Sequence, residues 1–219
     1  MLSLCCKRLE VRVTCKESVS VPEKQCFPCP KRVMIRIEAR VHFGCAMKRR
    51  ENMNINAIYQ MSYGVYVVST WDKGRGTGCT ANSAMQVTAE PATIAVSINH
   101  DNYTNQCIRQ NGKFALSILG EHTDPSVIGT FGFKSGKNFH KFDGVEQVVK
   151  GYMPVVADAC GYVVCEVIDE MEAPTHTVFL GRVLDADFLK EDTPMTYAYY
   201  YNVIKGRSPQ NAPTYKRED

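Results

Sequence analysis

The stretch Tyr63-Gly64-Val65-Tyr66-Val67-Val68-Ser69-Thr70 decides the fold. It is dense in β-branched and aromatic residues and reads as a strand. Asp72-Lys73-Gly74-Arg75-Gly76 follows at once and has the residues of a hairpin turn. The chain then runs on through Thr80-Ala81-Asn82-Ser83. A hairpin this tight calls for an antiparallel sheet, not a βαβ unit.

Outward from this hairpin, the same signals recur. Ala92 to Asn99 is a second apolar strand, with Pro91 before it, where a missing N–H does least harm. Tyr103 to Gln110 suits a short helix stopped by Asn111-Gly112. Phe114 to Leu119 is another strand. Asp124-Pro125 opens a helix, with Asp as N-cap and Pro at the first position. Gly161 to Glu172 and Thr175 to Phe188 are long strands joined at Ala173-Pro174. Many strands and few helices predict a mainly β protein, a closed barrel in preference to a doubly wound sheet.

The 219-residue chain is not uniform along its length. Residues 1–52 carry 12 Lys/Arg against 5 Asp/Glu, whereas residues 53–219 carry 14 against 18. Six of the ten cysteines precede Met53, and so does only one of the fifteen glycines, Gly44. A β domain needs glycines for its turns, so the domain is expected at 53–219. Residues 1–52 are expected to be a basic, Cys-rich extension, disordered or lying upstream of a natural start at Met53. Cys26-Phe27-Pro28-Cys29 has the spacing of a redox pair or half a zinc site, but no second pair completes it. The overall charge of +3 is too small to indicate a nucleic-acid partner. No apolar run approaches the roughly 18 residues of a membrane span.

Several chemistries lack their motif. Gly74, Gly76 and Gly78 sit in a hairpin and lead into no helix, so they do not make a dinucleotide fingerprint. Gly132-Phe133-Lys134-Ser135-Gly136-Lys137 fails the P-loop spacing and ends in Asn138. The five histidines are scattered, and no metal site is expected in the domain. Two stretches stand out for their polarity. Thr77 to Ala84 is small and rich in hydroxyl and amide groups, which allow a ligand close to the backbone. Ser97 to Thr104 links a strand end to a helix start, where backbone N–H groups favour a phosphate. On the residues alone, the first reads equally as a polar turn and the second as an N-capped helix.

The order of these motifs resembles that of a known family. Gly64 to Thr70, Cys79-Thr80-Ala81-Asn82-Ser83, Glu90-Pro91 and Asn102-Tyr103-Thr104 are similar to the flavin reductase-like, FMN-binding split-barrel family. Gly112-Lys113-Phe114, Phe131-Gly132-Phe133, Ser135-Gly136-Lys137, Lys141-Phe142, His176 to Gly181 and the tail Tyr200 to Tyr215 extend the match in order. Within the family, the chain most resembles the flavoprotein part of high-molecular-weight rubredoxins and the flavoredoxins. The resemblance implies a homodimeric split barrel with FMN near the subunit interface, NADH or NADPH as co-substrate, and a cytoplasmic protein. It places Thr80, Ala81, Asn82 and Ser83 at the isoalloxazine or ribityl chain, and Ser97, Asn102 and Thr104 near the phosphate. Ser135 and Lys137 fall on a loop closing over the flavin. It sets His176 near the ring or the nicotinamide, although a histidine on a barrel strand alone reads as a hydrogen-bonded core residue.

The rubredoxin-type look-alikes continue into an iron-holding module with two Cys pairs. Here Cys79, Cys107, Cys160 and Cys165 form no such pair, so the expected acceptor is a separate rubredoxin-like protein, free flavin or oxygen. Hydride transfer from a reduced nicotinamide to a flavin requires no protein acid or base, and no catalytic residue is nominated. Two alternatives are an FMN-binding electron carrier without NAD(P)H reductase activity and a barrel that binds no flavin.

Overall fold

The computed structural model describes residues 54–215. The expectations for residues 1–52, including the Cys26–Cys29 pair, lie outside the described residues.

Strand β1 (Tyr66–Asp72) and β2 (Arg75–Ala81) form the expected hairpin. Its two-residue turn, Lys73-Gly74, has both φ angles positive, at 48° and 82°. This geometry matches the right-handed twist of the flanking strands. β3 (Ala84–Ala89) and β4 (Ala92–Asn99) make a second hairpin. Helix α1 (Tyr103–Asn111) is capped by the Asn102 side chain and stopped by Gly112 at φ 66°, as Asn111-Gly112 predicts. β5 (Lys113–Leu119) precedes α2 (Pro125–Phe133), whose N-cap is Asp124. A short hairpin of β6 (Gln147–Lys150) and β7 (Met153–Val156) comes next. The long strands β8 (Ala159–Glu172) and β9 (His176–Phe188) and the short helix α3 (Tyr197–Asn202) complete the set.

Seven strands form one sheet in the order β2-β1-β5-β8-β9-β4-β3. Every pairing in it is antiparallel. Val68 of β1, Cys79 of β2, Val96 of β4, Phe114 of β5, Cys165 of β8 and Phe179 of β9 share one core, with Ala84 of β3 packed against it. A single sheet whose strands all face one interior must be rolled into a barrel. β2 and β3 remain its two edges, joined in sequence by Asn82-Ser83. The barrel is therefore split at this point, not closed.

A second core lies outside the barrel, where Val65, Val67 and Leu119 meet Ile128 and Phe131 of α2 and Tyr200 of α3. Val67 and Val68 face opposite cores because strand side chains alternate. β1 is thus buried on both faces, which explains its unbroken apolar run. Its buried hydroxyls are bonded: Ser69 Oγ donates to the Pro154 carbonyl, and Thr70 Oγ1 to the Lys113 carbonyl at 2.8 Å. The β6–β7 hairpin covers β5 and β8 through Met153, Val155, Ala115 and Val164.

Lys141 ends α2. Its side chain is buried and its Nζ donates to the carbonyls of Thr130 at 2.9 Å, Phe131 at 3.1 Å and Lys134. These belong to the last turn of the helix and its C-cap, whose carbonyls have no partners within the helix. Burial lowers the Lys141 pKa to about 8 from the ordinary 10.5. Lys141→Met removes all three donors and should destabilise the fold by about 2–3 kcal/mol. The pH dependence has a definite sign. Between pH 8 and 10.5 the unfolded chain holds a proton that the folded chain has lost, so this lysine's contribution rises with pH. Thermal unfolding of both proteins should show their difference in Tm widening as pH increases through that window.

Candidate functional site

Above the split, a cleft of about 540 Å³ opens between the end of β2, the end of β4, α2, α3 and the segment 207–215. The volume lies in the usual range for small-molecule sites. Thr80, Ala81, Asn82, Ser83, Ser97, Asn102, Ser135 and His176 all line it. The two polar stretches singled out in the sequence therefore meet, because β2 and β3 flank the split, β4 pairs with β3, and Ser97 N donates to Ser83 O at 2.9 Å. The opposite wall is apolar and aromatic: Val65, Ile128, Phe131, Tyr197 and Tyr200.

The polar wall is built from neutral groups. Thr80 Oγ1 donates to the Ile128 carbonyl at 3.3 Å, tying β2 to α2. Asn82 is buried and spends its amide donor on Thr214 Oγ1 at 2.8 Å, while its Oδ1 accepts from Ser83 Oγ at 3.1 Å. Asn99 Nδ2 donates to the Asn211 carbonyl at 3.3 Å. His176 Nδ1 lies 2.8 Å from Thr175 Oγ1. Burial first, and the neighbouring His100 second, lower the His176 pKa below its ordinary value, so the ring is neutral at pH 7. Cys79 also lines the cleft, but burial raises its thiol pKa to about 11, which leaves no thiolate at neutral pH.

Two nominated residues lie elsewhere. Thr104 is 1% exposed and outside the cleft, with its side chain hydrogen-bonded to Cys79 beneath the wall. Its place in the first turn of α1 turns the hydroxyl toward the barrel interior. The Thr104 backbone amide is also engaged, by Asn102 Oδ1 at 3.1 Å. Lys137 is exposed on the loop after α2 and does not line the cleft; that loop faces the cleft through Lys134 and Ser135. Asp101 adds a carboxylate beside Asn102, which weakens the Ser97–Thr104 junction as an anion site. The cations that do line the cleft are Lys134 and Arg207. Neither was singled out in the sequence as a site residue, and each has a second cation close by, Lys137 and Lys205, from which sequence alone does not distinguish it. The aromatic pair Tyr197 and Tyr200 was also missed; their spacing in a Tyr-rich segment is the signal that would have found them.

A rolled-up antiparallel sheet with a half-aromatic, half-amide cleft at its split defines a small-molecule-binding barrel. The flavin reductase-like domain model matches residues 58–205, and the chain belongs to that family of flavoprotein oxidoreductases. It is 39% identical to a high molecular weight rubredoxin of Moorella thermoacetica, over 74% of this chain and 72% of that protein. It is 38% identical to a ferric-chelate reductase (NAD(P)H) of Archaeoglobus fulgidus, over 74% of this chain and 98% of the relative. Among solved structures, flavin reductase PheA2 superposes with a TM-score of 0.57 at 30% identity, covering 66% of this chain and 93% of that one. The donor set fits a flavin. A planar ring has the apolar wall for its dimethylbenzene part, and hydroxyls and amides at the polar wall for its nitrogen and carbonyl edge.

Thr104→Val tests the position of that residue. The variant should lose about 1 kcal/mol of stability with its buried hydroxyl contact. Flavin affinity, read by fluorescence quenching, should stay within a factor of two of the parent.

Proposed function

We propose that the chain is an FMN-dependent NAD(P)H oxidoreductase that passes electrons to a separate acceptor: a rubredoxin-like protein, free flavin or oxygen. The observation that carries this reading is the gathering of eight nominated residues around one cleft. The names of its relatives, a ferric-chelate reductase (NAD(P)H) and a high molecular weight rubredoxin, support the same chemistry. FMN is favoured over FAD because the chain offers no dinucleotide fingerprint for an adenylate half. A flavin held there supplies hydride and one-electron chemistry. The chain's part is to stack the ring against Tyr197, Tyr200 and Phe131 and to hold its polar edge with Thr80, Asn82 and Ser83. Lys134 and Arg207 neutralise a phosphate. His176 stays uncharged as a hydrogen-bonding group and takes no obligatory proton. A second reading, an FMN-binding electron carrier without its own nicotinamide site, is favoured by the segment 207–215, which takes up one side of the cleft.

The domain is proposed to be residues 53–219. Purified full-length chain and a chain starting at Met53 should both be yellow, with equal FMN content. Saturating FMN at a thousandfold over Kd should add about 4 kcal/mol of stability, against a smaller shift with FAD. Anaerobic titration with NADH and with NADPH should bleach the visible spectrum with at least one of them. Bound FMN that neither nicotinamide reduces would select the carrier reading, and a colourless protein would remove both.

A homodimer is also proposed. The outward side of β3, β4, β9 and β8 aligns Met85, Ala95, Leu180 and Asp169 in one row and Ser97, Val178 and Met171 in the next, apolar but for Asp169 and Ser97. Met85 and Met171 are 66% and 61% exposed, an apolar face continuous with the cleft through Ser97. In sedimentation experiments the parent should be a dimer and Met85→Lys with Met171→Lys a folded monomer.

A further inference from the structure

The segment Arg207–Tyr215 lies beyond residue 205, where the domain-model match ends, within the tail that resembles the family in sequence, and it forms one side of the cleft. It is not a loose tail. Tyr200 Oη donates to the Arg207 carbonyl at 3.1 Å, and the Tyr197 and Ser208 hydroxyls share a hydrogen bond. Asn99 holds the Asn211 carbonyl, and Asn82 holds the Thr214 hydroxyl at 2.8 Å. Ser208 and Thr214 lie 3.3 Å apart, hydroxyl to hydroxyl, and close the segment on itself. Gly206 permits the entry: a Cβ there would fall 2.0 Å from the Tyr200 ring.

The anchors come from three places, namely α3, the end of β4 and the end of β2, so the segment bridges the walls of the cleft. All four anchoring residues, Asn82, Asn99, Tyr197 and Tyr200, line the cleft themselves, and Asn99 is the register partner of His176. Segment position and cleft geometry are therefore fixed by the same hydrogen bonds.

We propose that Arg207–Tyr215 is a retaining strap that holds the flavin in the cleft through turnover. The flavin then acts as a resident group, and the acceptor must come to the protein instead of receiving a released reduced flavin. The inference rests on the flavin reading above. Escape requires the strap to open, and each clasp bond lost should speed it by about tenfold.

The test uses full-length protein loaded with FMN, diluted, and followed by the recovery of free-flavin fluorescence. Ser208→Ala and Tyr200→Phe each remove one strap anchor without touching Asn82, and Thr214→Val removes the clasp itself. Tyr200→Phe, which loses one bond, should raise the dissociation rate about tenfold, Ser208→Ala and Thr214→Val, which lose two each, about a hundredfold, and Thr214→Ser should restore it. In the same samples, trypsin cleavage after the exposed Lys205 and Arg207 should slow when FMN is bound. Unchanged dissociation rates in all three variants, or cleavage indifferent to FMN, would overturn the strap while leaving the flavin reading in place. A parent protein that takes up no FMN would overturn the flavin reading first and the strap with it.

Discussion

The two-sided burial of β1 is the constraint on which the rest depends. Val67 and Val68 point into different cores, and Ser69 and Thr70 are as fully enclosed as they are. A strand buried on both faces needs the barrel on one side and a second layer on the other. α2 and α3 supply that layer at the Val65–Val67 end, and the β6–β7 hairpin covers the neighbouring strands. Because α2 and α3 pack on the strand next to the split, their aromatic residues face the polar ends of β2 and β4. The cleft is the gap left where a rolled sheet fails to close.

A gap of this kind holds its shape only if its movable walls are pinned. The wall formed by α2 ends in carbonyls that Lys141 collects. Desolvation of an ammonium is costly, and the lowered pKa of Lys141 expresses that cost. Three carbonyl acceptors and the Phe131 ring, 5.6 Å away, offset part of it. Gly136 shows how close the fit is: a Cβ there would come within 2.4 Å of Thr77 Oγ1. The loop carrying Lys134 and Ser135 into the cleft is thus set from below by Lys141 and Thr77, neither of which lines it.

Much of this was legible in the sequence where local chemistry decides the structure. Asn111-Gly112 fixed the end of α1, Asp124-Pro125 the start of α2, and Lys73-Gly74 the first hairpin, because each needs only its own backbone preference. β3 was missed because five of its six residues are exposed and its ladder slips between Gln86 and Thr88, which erases the alternation. α3 was missed because six residues are too short to show a helical period, even with Thr196 as N-cap. In the site, the small polar run Thr80 to Ser83 was found by its composition. Thr104 lies outside the cleft because a helix start exposes its amides toward one side and its second residue's hydroxyl toward another, and only the tertiary fold says which side faces the cleft. The strap was legible as a family-like tail, but its contact with Asn82, 132 residues away, was not.

The charge pattern of the cleft bears on what it can tune. Asn82, Ser83, Thr80 and a neutral His176 are dipoles, not ions, and the Cys79 thiol stays protonated. Such a wall would act on a bound flavin ring through dipoles and not through charges. Its influence is then exerted through hydrogen bonds that differ in strength between oxidised and reduced rings. For a two-electron couple, a difference of about 1.4 kcal/mol moves the potential by about 30 mV. One amide would be enough to supply that, and among the described residues of the polar wall Asn82 is an amide whose orientation Thr214 fixes. Asn82 and the segment 207–215 are joined by that one hydrogen bond, so a displacement of the segment would also release the Asn82 amide.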